Sequence, residues 1–265
     1  MLKYRVAFAA VMICTPGVAW AGAWTMPQDT GQILTTFTTS TATTGLEGSN
    51  GTVSIPRYSK DELSVLLEYG ITDELTAILN PGLQHIDIAP PISAERTGLG
   101  YTEFGARYAF WQPQTWVFSG QATLRLPGTT DTSNPAAIGY TDVEADLRLL
   151  VGHNFQIAQL PAFFDVEVAE RIRTAGYPSE FRVDGTLGVK IFPQWTLLAQ
   201  SFNVVSEGAG LNPLFGGSYD YFKFQLSALY AINHDWSLQG GLFTTYAGTN
   251  AIQENGIILG VWHRF

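Results

Sequence analysis

The chain has 265 residues, of which 14% are charged and 13% aromatic, with 27 glycines and a formal net charge of −9. That acidic balance lacks the clustered Lys and Arg needed by nucleic-acid partners, so no nucleic acid is expected. Cys14 is the only cysteine, which excludes disulfides, Cys-ligated zinc and, if its segment is removed, any thiol chemistry.

Residues 1–21 read as a cleaved signal peptide. Lys3 and Arg5 supply the positive start, and an apolar run from Val6 reaches Cys14 before Pro16 and Gly17 end it. The run is too short to span a bilayer as a helix. Ala19-Trp20-Ala21 gives the small-x-small pattern of a cleavage site, with cutting expected after Ala21 and Ala23 as the nearby alternative. Met12 and Ile13 are bulky where a lipid-attachment motif needs small residues, so Cys14 is not expected to carry lipid. Cleavage leaves residues 22–265 as one domain with a net charge of about −11, since Lys3 and Arg5 leave with the leader.

Beyond residue 21 no stretch has eighteen consecutive apolar residues, and none repeats with helical period. Alternation with period two recurs instead. It predicts strands at 31–44, 59–69, 75–87, 99–110, 116–126, 140–152, 161–173, 179–191, 195–206, 218–230, 236–246 and 254–265. Short connections (70–74, 111–115, 153–160, 192–194, 231–235) alternate with longer, Gly/Pro/Ser/Asn-rich ones (45–58, 88–98, 127–139, 207–217, 247–253). Only 174–178 is short on the long side. A soluble sandwich has no reason to alternate in this way, whereas an outer-membrane barrel does. The expected fold is therefore all-β: a transmembrane antiparallel up-and-down β-barrel of about 12 strands, both termini at the periplasmic end. Ten strands stay open as a count, because 31–44 and 195–206 alternate poorly.

Tyr69, Trp111, Trp116, Phe192, Trp195, Tyr230 and Trp236 fall at strand ends beside the short turns, as an aromatic girdle at the periplasmic interface would. Phe265 ends the chain with Ile257, Leu259 and Val261 on its parity. This is the form of strand that the barrel-assembly machinery takes as a partner, although His263 departs from it.

Charged residues gather on the inward parity of the middle strands. Glu103, Arg107, Arg125, Asp142, Glu144, Asp146 and Arg148 come first, then Asp165, Glu167, Arg171, Arg173, Arg182, Asp184 and Lys190. Adjacent strands bring opposite charges within reach of one another. The set reads either as an ion-pair network that stiffens the wall or as charge rings lining a constriction where solute binds. Glu170 falls on the lipid parity, which predicts a β-bulge near Ala169 or a place close to the interface. A long loop folded inward, 127–139 or 207–217, would narrow the lumen. The apolar Asn212-Pro213-Leu214-Phe215 fits such an inward fold, or loop packing over the mouth.

Catalytic and metal patterns are weak. His85, His153, His234 and His263 are scattered, none at metal-ligand spacing, and neither a Gly-x-Ser-x-Gly elbow nor a phosphate loop occurs. No cofactor, no metal and no enzymatic activity are expected.

The segments Gly22-Ala23-Trp24-Thr25-Met26-Pro27, Gly31-Gln32-Ile33, 98–108 (from Gly98-Leu99-Gly100 to Glu103 and Arg107) and Leu124-Arg125-Leu126-Pro127-Gly128 resemble the MetA-pathway of phenol degradation family. Its members are regarded as transporter-like outer-membrane barrels. Tyr101 stands where that family often has Asp. The resemblance implies passage of small solutes, hydrophobic or aromatic ones among them, across the outer membrane of a Gram-negative bacterium, and it assigns no binding residue. The expectation is thus a porin-like channel or transporter, with outer-membrane lipid and a small-molecule solute as partners. A structural or secretion-associated barrel with a plugged lumen is the alternative, and a barrel enzyme a weaker one.

Overall fold

The computed structural model describes residues 22–48, 51–128, 133–136, 138, 142–174, 176–209 and 218–265. The predicted signal peptide with Cys14, and the Asn212–Phe215 stretch, lie outside the described residues.

Residues that alternate between bulky apolar and polar or small side chains give each strand two unlike faces, and the hydrogen-bond ladder closes these into a cylinder. Fifteen strand segments are described: β1 Gly31–Glu47, β2 Gly51–Gly70, β3 Leu75–Asn80, β4 Gly82–Ile88, β5 Ala94–Leu99, β6 Tyr101–Trp111, β7 Trp116–Pro127, β8 Glu144–Ile157, β9 Leu160–Ile172, β10 Glu180–Phe192, β11 Trp195–Ala209, β12 Ser218–Ala231, β13 Trp236–Thr249, β14 Ala251–Ile252 and β15 Asn255–Arg264. Three boundaries are interruptions within a single stave. The predicted strand 75–87 is split at Pro81, which has no N–H to donate, although its carbonyl accepts from Val65 N at 3.0 Å. The others fall at Gly100 and at Gln253-Glu254, leaving twelve antiparallel staves in a closed barrel. β1 pairs with β2 on one side and β15 on the other, and Gly31 and Phe265 exchange N–H···O bonds of 2.8 and 3.0 Å at the seam.

Both weakly alternating segments are full staves. Their lumen faces carry apolar residues for a packing reason: Leu34 rests on Leu229 and Trp262, and Leu198 joins a buried cluster. Several expected loops are strand instead. β1 and β2 stay paired to Glu47↔Gly51, β4 and β5 to Ile88↔Ala94, and β13 runs to Thr249. Thr, Val and Ser in these stretches suit extended pairing as readily as a loop. The expected connection 153–160 shrinks to Ala158-Gln159, both left-handed (φ 48 and 69), the conformation a two-residue hairpin needs.

The outer face is an apolar belt: Leu149, Leu226, Leu242 and Leu259, on four different strands, are all more than half exposed. Such a surface is at home in hydrocarbon. The aromatic ring lies at the short-turn end, with Trp116 stacked on His153 (3.9 Å), Trp195 against Tyr230 (4.8 Å) and Trp236 stacked on His263 (4.1 Å). Glu170 sits in an unbroken ladder, Leu147↔Glu170↔Phe181, so the predicted bulge near Ala169 is absent. Its place two residues from the end of the Leu160–Ile172 strand puts it near the long-loop rim.

Candidate functional site

The lumen is occupied at its short-turn end by the chain's own residues 22–28. Ala23, Trp24, Thr25 and Met26 are all buried. Ala23 N donates to Asp165 Oδ2 (2.6 Å), while Ser119 Oγ donates to Ala23 O (2.7 Å). Arg107 Nη1 donates to Trp24 O (2.9 Å), and Met26 N to Thr76 Oγ1 (2.7 Å). Thr25 Oγ1 and Gln28 N then tie the segment to Asp73 at the rim. The Trp24 ring meets Phe163 edge-on at 5.8 Å and joins Ala109, Val117, Leu150, Phe163 and Leu198 in one apolar cluster. Glycines make the room: a methyl on Gly152 would lie 2.7 Å from the Trp24 ring, and one on Gly188 2.0 Å from Phe163.

The plug is therefore an N-terminal segment, whereas the sequence pointed to a long loop. Loop 127–139 does contribute at the other end. Ala136 and Ile138 are buried against the lumen-facing Ile86 and Ile88, and Asn134 Nδ2 donates to Glu95 O at 3.0 Å. In loop 207–217, residues 210–217 lie outside the described residues.

Above the plug, the predicted charges meet in a chain of ion pairs along one wall. Arg125 pairs with Glu144 and faces Glu103 at 3.7 Å. Arg173 bridges Glu144 and Glu180 at 3.0 Å each, and Arg182 reaches Glu180 at 2.9 Å. Tyr219 Oη donates to Glu180 at 2.5 Å. Arg171 holds Asp146 at 2.9 Å, linking this group to Arg148, which contacts Asp146 (2.7 Å), Glu167 (2.7 Å) and Asp184 (2.9 Å). Asp146 is wholly buried, so its charge depends on these two guanidinium groups.

Of the fourteen charged residues expected on the inward parity, Glu103, Arg125, Glu144, Asp146, Arg148, Glu167, Arg171, Arg173, Arg182 and Asp184 are brought together in this network, and Lys190 lines a space at the short-turn end. Arg107 and Asp165 belong to the plug instead: Arg107 is fixed by Glu68 (2.9 Å) and Gln121 while it holds Trp24. Asp142 is the exception. β8 begins only at Glu144, and Asp142 lies ahead of it, its carbonyl accepting from Tyr101 Oη at 3.2 Å. Trp24, Glu68, Phe163, Glu180 and Tyr219 were not among the sequence candidates. Glu68 and Glu180 sit on the inward parity of predicted strands, and that signal was available.

A cavity of about 320 Å³ opens beside the network, lined among others by Lys60, Glu62, Arg125, Arg171, Arg182 and Tyr221. Among the described residues, the buried Arg125 Nε and Arg182 Nε find no hydrogen-bond partner there. A second space of about 220 Å³ adjoins the plug at Gly22, between Glu68, Arg107, Glu167 and Trp262. A third, of about 250 Å³, lies at the short-turn end around Lys190 and Arg264. Three of the four histidines, His85, His153 and His263, are on outward-parity positions, and His234 is exposed in a turn.

No family model and no curated protein matches the chain. Among solved structures it is similar to the COG4313 outer membrane channel from Pseudomonas putida F1, at 14% identity, TM-score 0.71, covering 94% of this chain and 100% of that one. It is also similar to the beta domain of the Bordetella autotransporter BrkA (14%, TM-score 0.58, 90% and 100% covered) and to the NanC porin (8%, TM-score 0.55, 87% and 98%). At these identities the likeness is one of fold, and the fold is that of an outer-membrane β-barrel.

Proposed function

We propose that the protein is a porin-like channel for small solutes in the outer membrane of a Gram-negative bacterium, its bore narrowed by residues 22–28. The observation that carries this reading is the polar cavity of about 320 Å³ beside the ion-pair network, within a barrel whose outer face is apolar. Its wall suits solutes with a polar or charged group, including an aromatic ring that carries one. The hydrophobic solutes implied by the family resemblance would have to cross this charged belt.

The plugged, structural barrel is the second reading, and the buried N-terminal segment favours it. Single-channel recording of refolded residues 22–265 in a planar bilayer separates the two. Stable current whose ion selectivity moves with Arg125→Ala and Arg148→Ala supports the channel. A protein that inserts and folds but stays silent, both intact and without residues 22–28, sinks it in favour of the structural role.

A further inference from the structure

Asp165 is a buried carboxyl group that stands outside the ion-pair network. Its side chain is 2% exposed, and among the described residues no Lys or Arg nitrogen forms an ion pair with it. Glu167, two residues along the same inward face, sets a second carboxylate beside it, and Arg148 already serves that one. A buried pair of carboxyl groups is neutralised either by a retained proton or by a counter-charge. The group packed against Asp165 is the backbone of Gly22. A methyl placed on Gly22 would fall 2.2 Å from the Asp165 carboxyl carbon, and its φ of +82° is one that glycine adopts freely.

We propose that Asp165, with Glu167 beside it, is a receptor site for a primary ammonium group, and that its occupant is the chain's own N-terminus at Gly22. This rests on reading residues 1–21 as a leader cut after Ala21. Hydrolysis of the Ala21–Gly22 peptide bond by water leaves a carboxylate on Ala21 and a protonated amine on Gly22. The amine is then generated beside the two carboxylates, one residue from the Ala23 N–H that Asp165 already accepts. Leader removal thus creates the charge that fastens the plug. An uncut chain, or one cut after Ala23, lacks it.

The intact mass of protein purified from outer membranes comes first: a chain that begins at any residue other than Gly22 overturns both the cleavage position and the ammonium site. On a chain that begins at Gly22, acetylation near neutral pH is followed at the N-terminal peptide by mass spectrometry. Folding of each variant is checked by heat-modifiable migration on gels. The expected result is an α-amine that reacts about tenfold more slowly than in Asp165→Asn, equivalent to about one unit of proton affinity. Asparagine keeps an acceptor for Ala23 but no charge, and Asp165→Glu should restore part of the protection. Gly22→Ala alters no barrel residue and should expose the amine as Asp165→Asn does. Equal rates in wild type and both of these variants, or a wild-type amine as reactive as that of a free peptide, overturn the proposal.

Discussion

At Arg148 three carboxylates converge on one guanidinium, and the wall of the lumen depends on that arrangement. Its side chain is 12% exposed, and Asp146 is not exposed at all, so water screens the pairs little. Arg148→Ala leaves three acids mutually repelling, and removing one member of a buried set of this kind costs about 3–5 kcal/mol. Urea unfolding of the refolded barrel should show a loss of that size, and a shift in midpoint too small to measure would mean that solvent reaches the network. Gly152 acts through space rather than charge. Gly152→Val puts side-chain atoms where the Trp24 ring lies and should displace the plug while leaving the ladder intact. The expected readout is a higher single-channel conductance than wild type, with unchanged heat-modifiable migration.

Among the elements, residues 22–28 and the staves they touch form one packing unit. Trp24→Ala empties the centre of the apolar cluster, a truncation of the kind that costs about 3–5 kcal/mol in a core. Here the loss falls on docking of the segment, so limited proteolysis should cut it free from a barrel that remains resistant. The staves were legible in sequence because lipid and lumen impose opposite demands on alternate residues. That logic failed where the lumen itself is dry. Leu150 and Phe163 are apolar on the inward parity because Trp24 covers them, and the same holds for Leu198, which blurred the alternation of 195–206. The plug has no period of its own to detect, being six residues and a proline. Its trace in the sequence is indirect: apolar side chains on the wet face of several predicted strands, waiting for an apolar partner. Charge pairing was legible as a set, whereas the strand boundary moved by four residues, from 140 to Glu144, which leaves Asp142 ahead of the strand.

For the whole molecule, the fold and the function are separate questions. The same barrel architecture serves a channel, a porin and an autotransporter domain among its structural neighbours, so only what fills the lumen can distinguish their uses. Phe265 completes the seam: it exchanges two backbone bonds with Gly31, and its ring lies over that glycine. Deleting Phe265 should therefore reduce the yield of folded barrel in outer membranes, measured as the heat-modifiable fraction. An undiminished yield would show that Ile257, Leu259 and Val261 suffice for recognition.

The seam has one more consequence, and it concerns time. Residues 22–28 run from deep in the lumen out to the rim at Gly70 and lead directly into Gly31, the residue that meets Phe265. Contacts between the two ends of a chain are among the slowest to form. The segment touches the Thr76, Arg107, Ser119 and Asp165 walls, all of which can assemble before the ends meet. If the segment docks on those walls before the seam zips, the strand that ends the cylinder is also the one that encloses its contents.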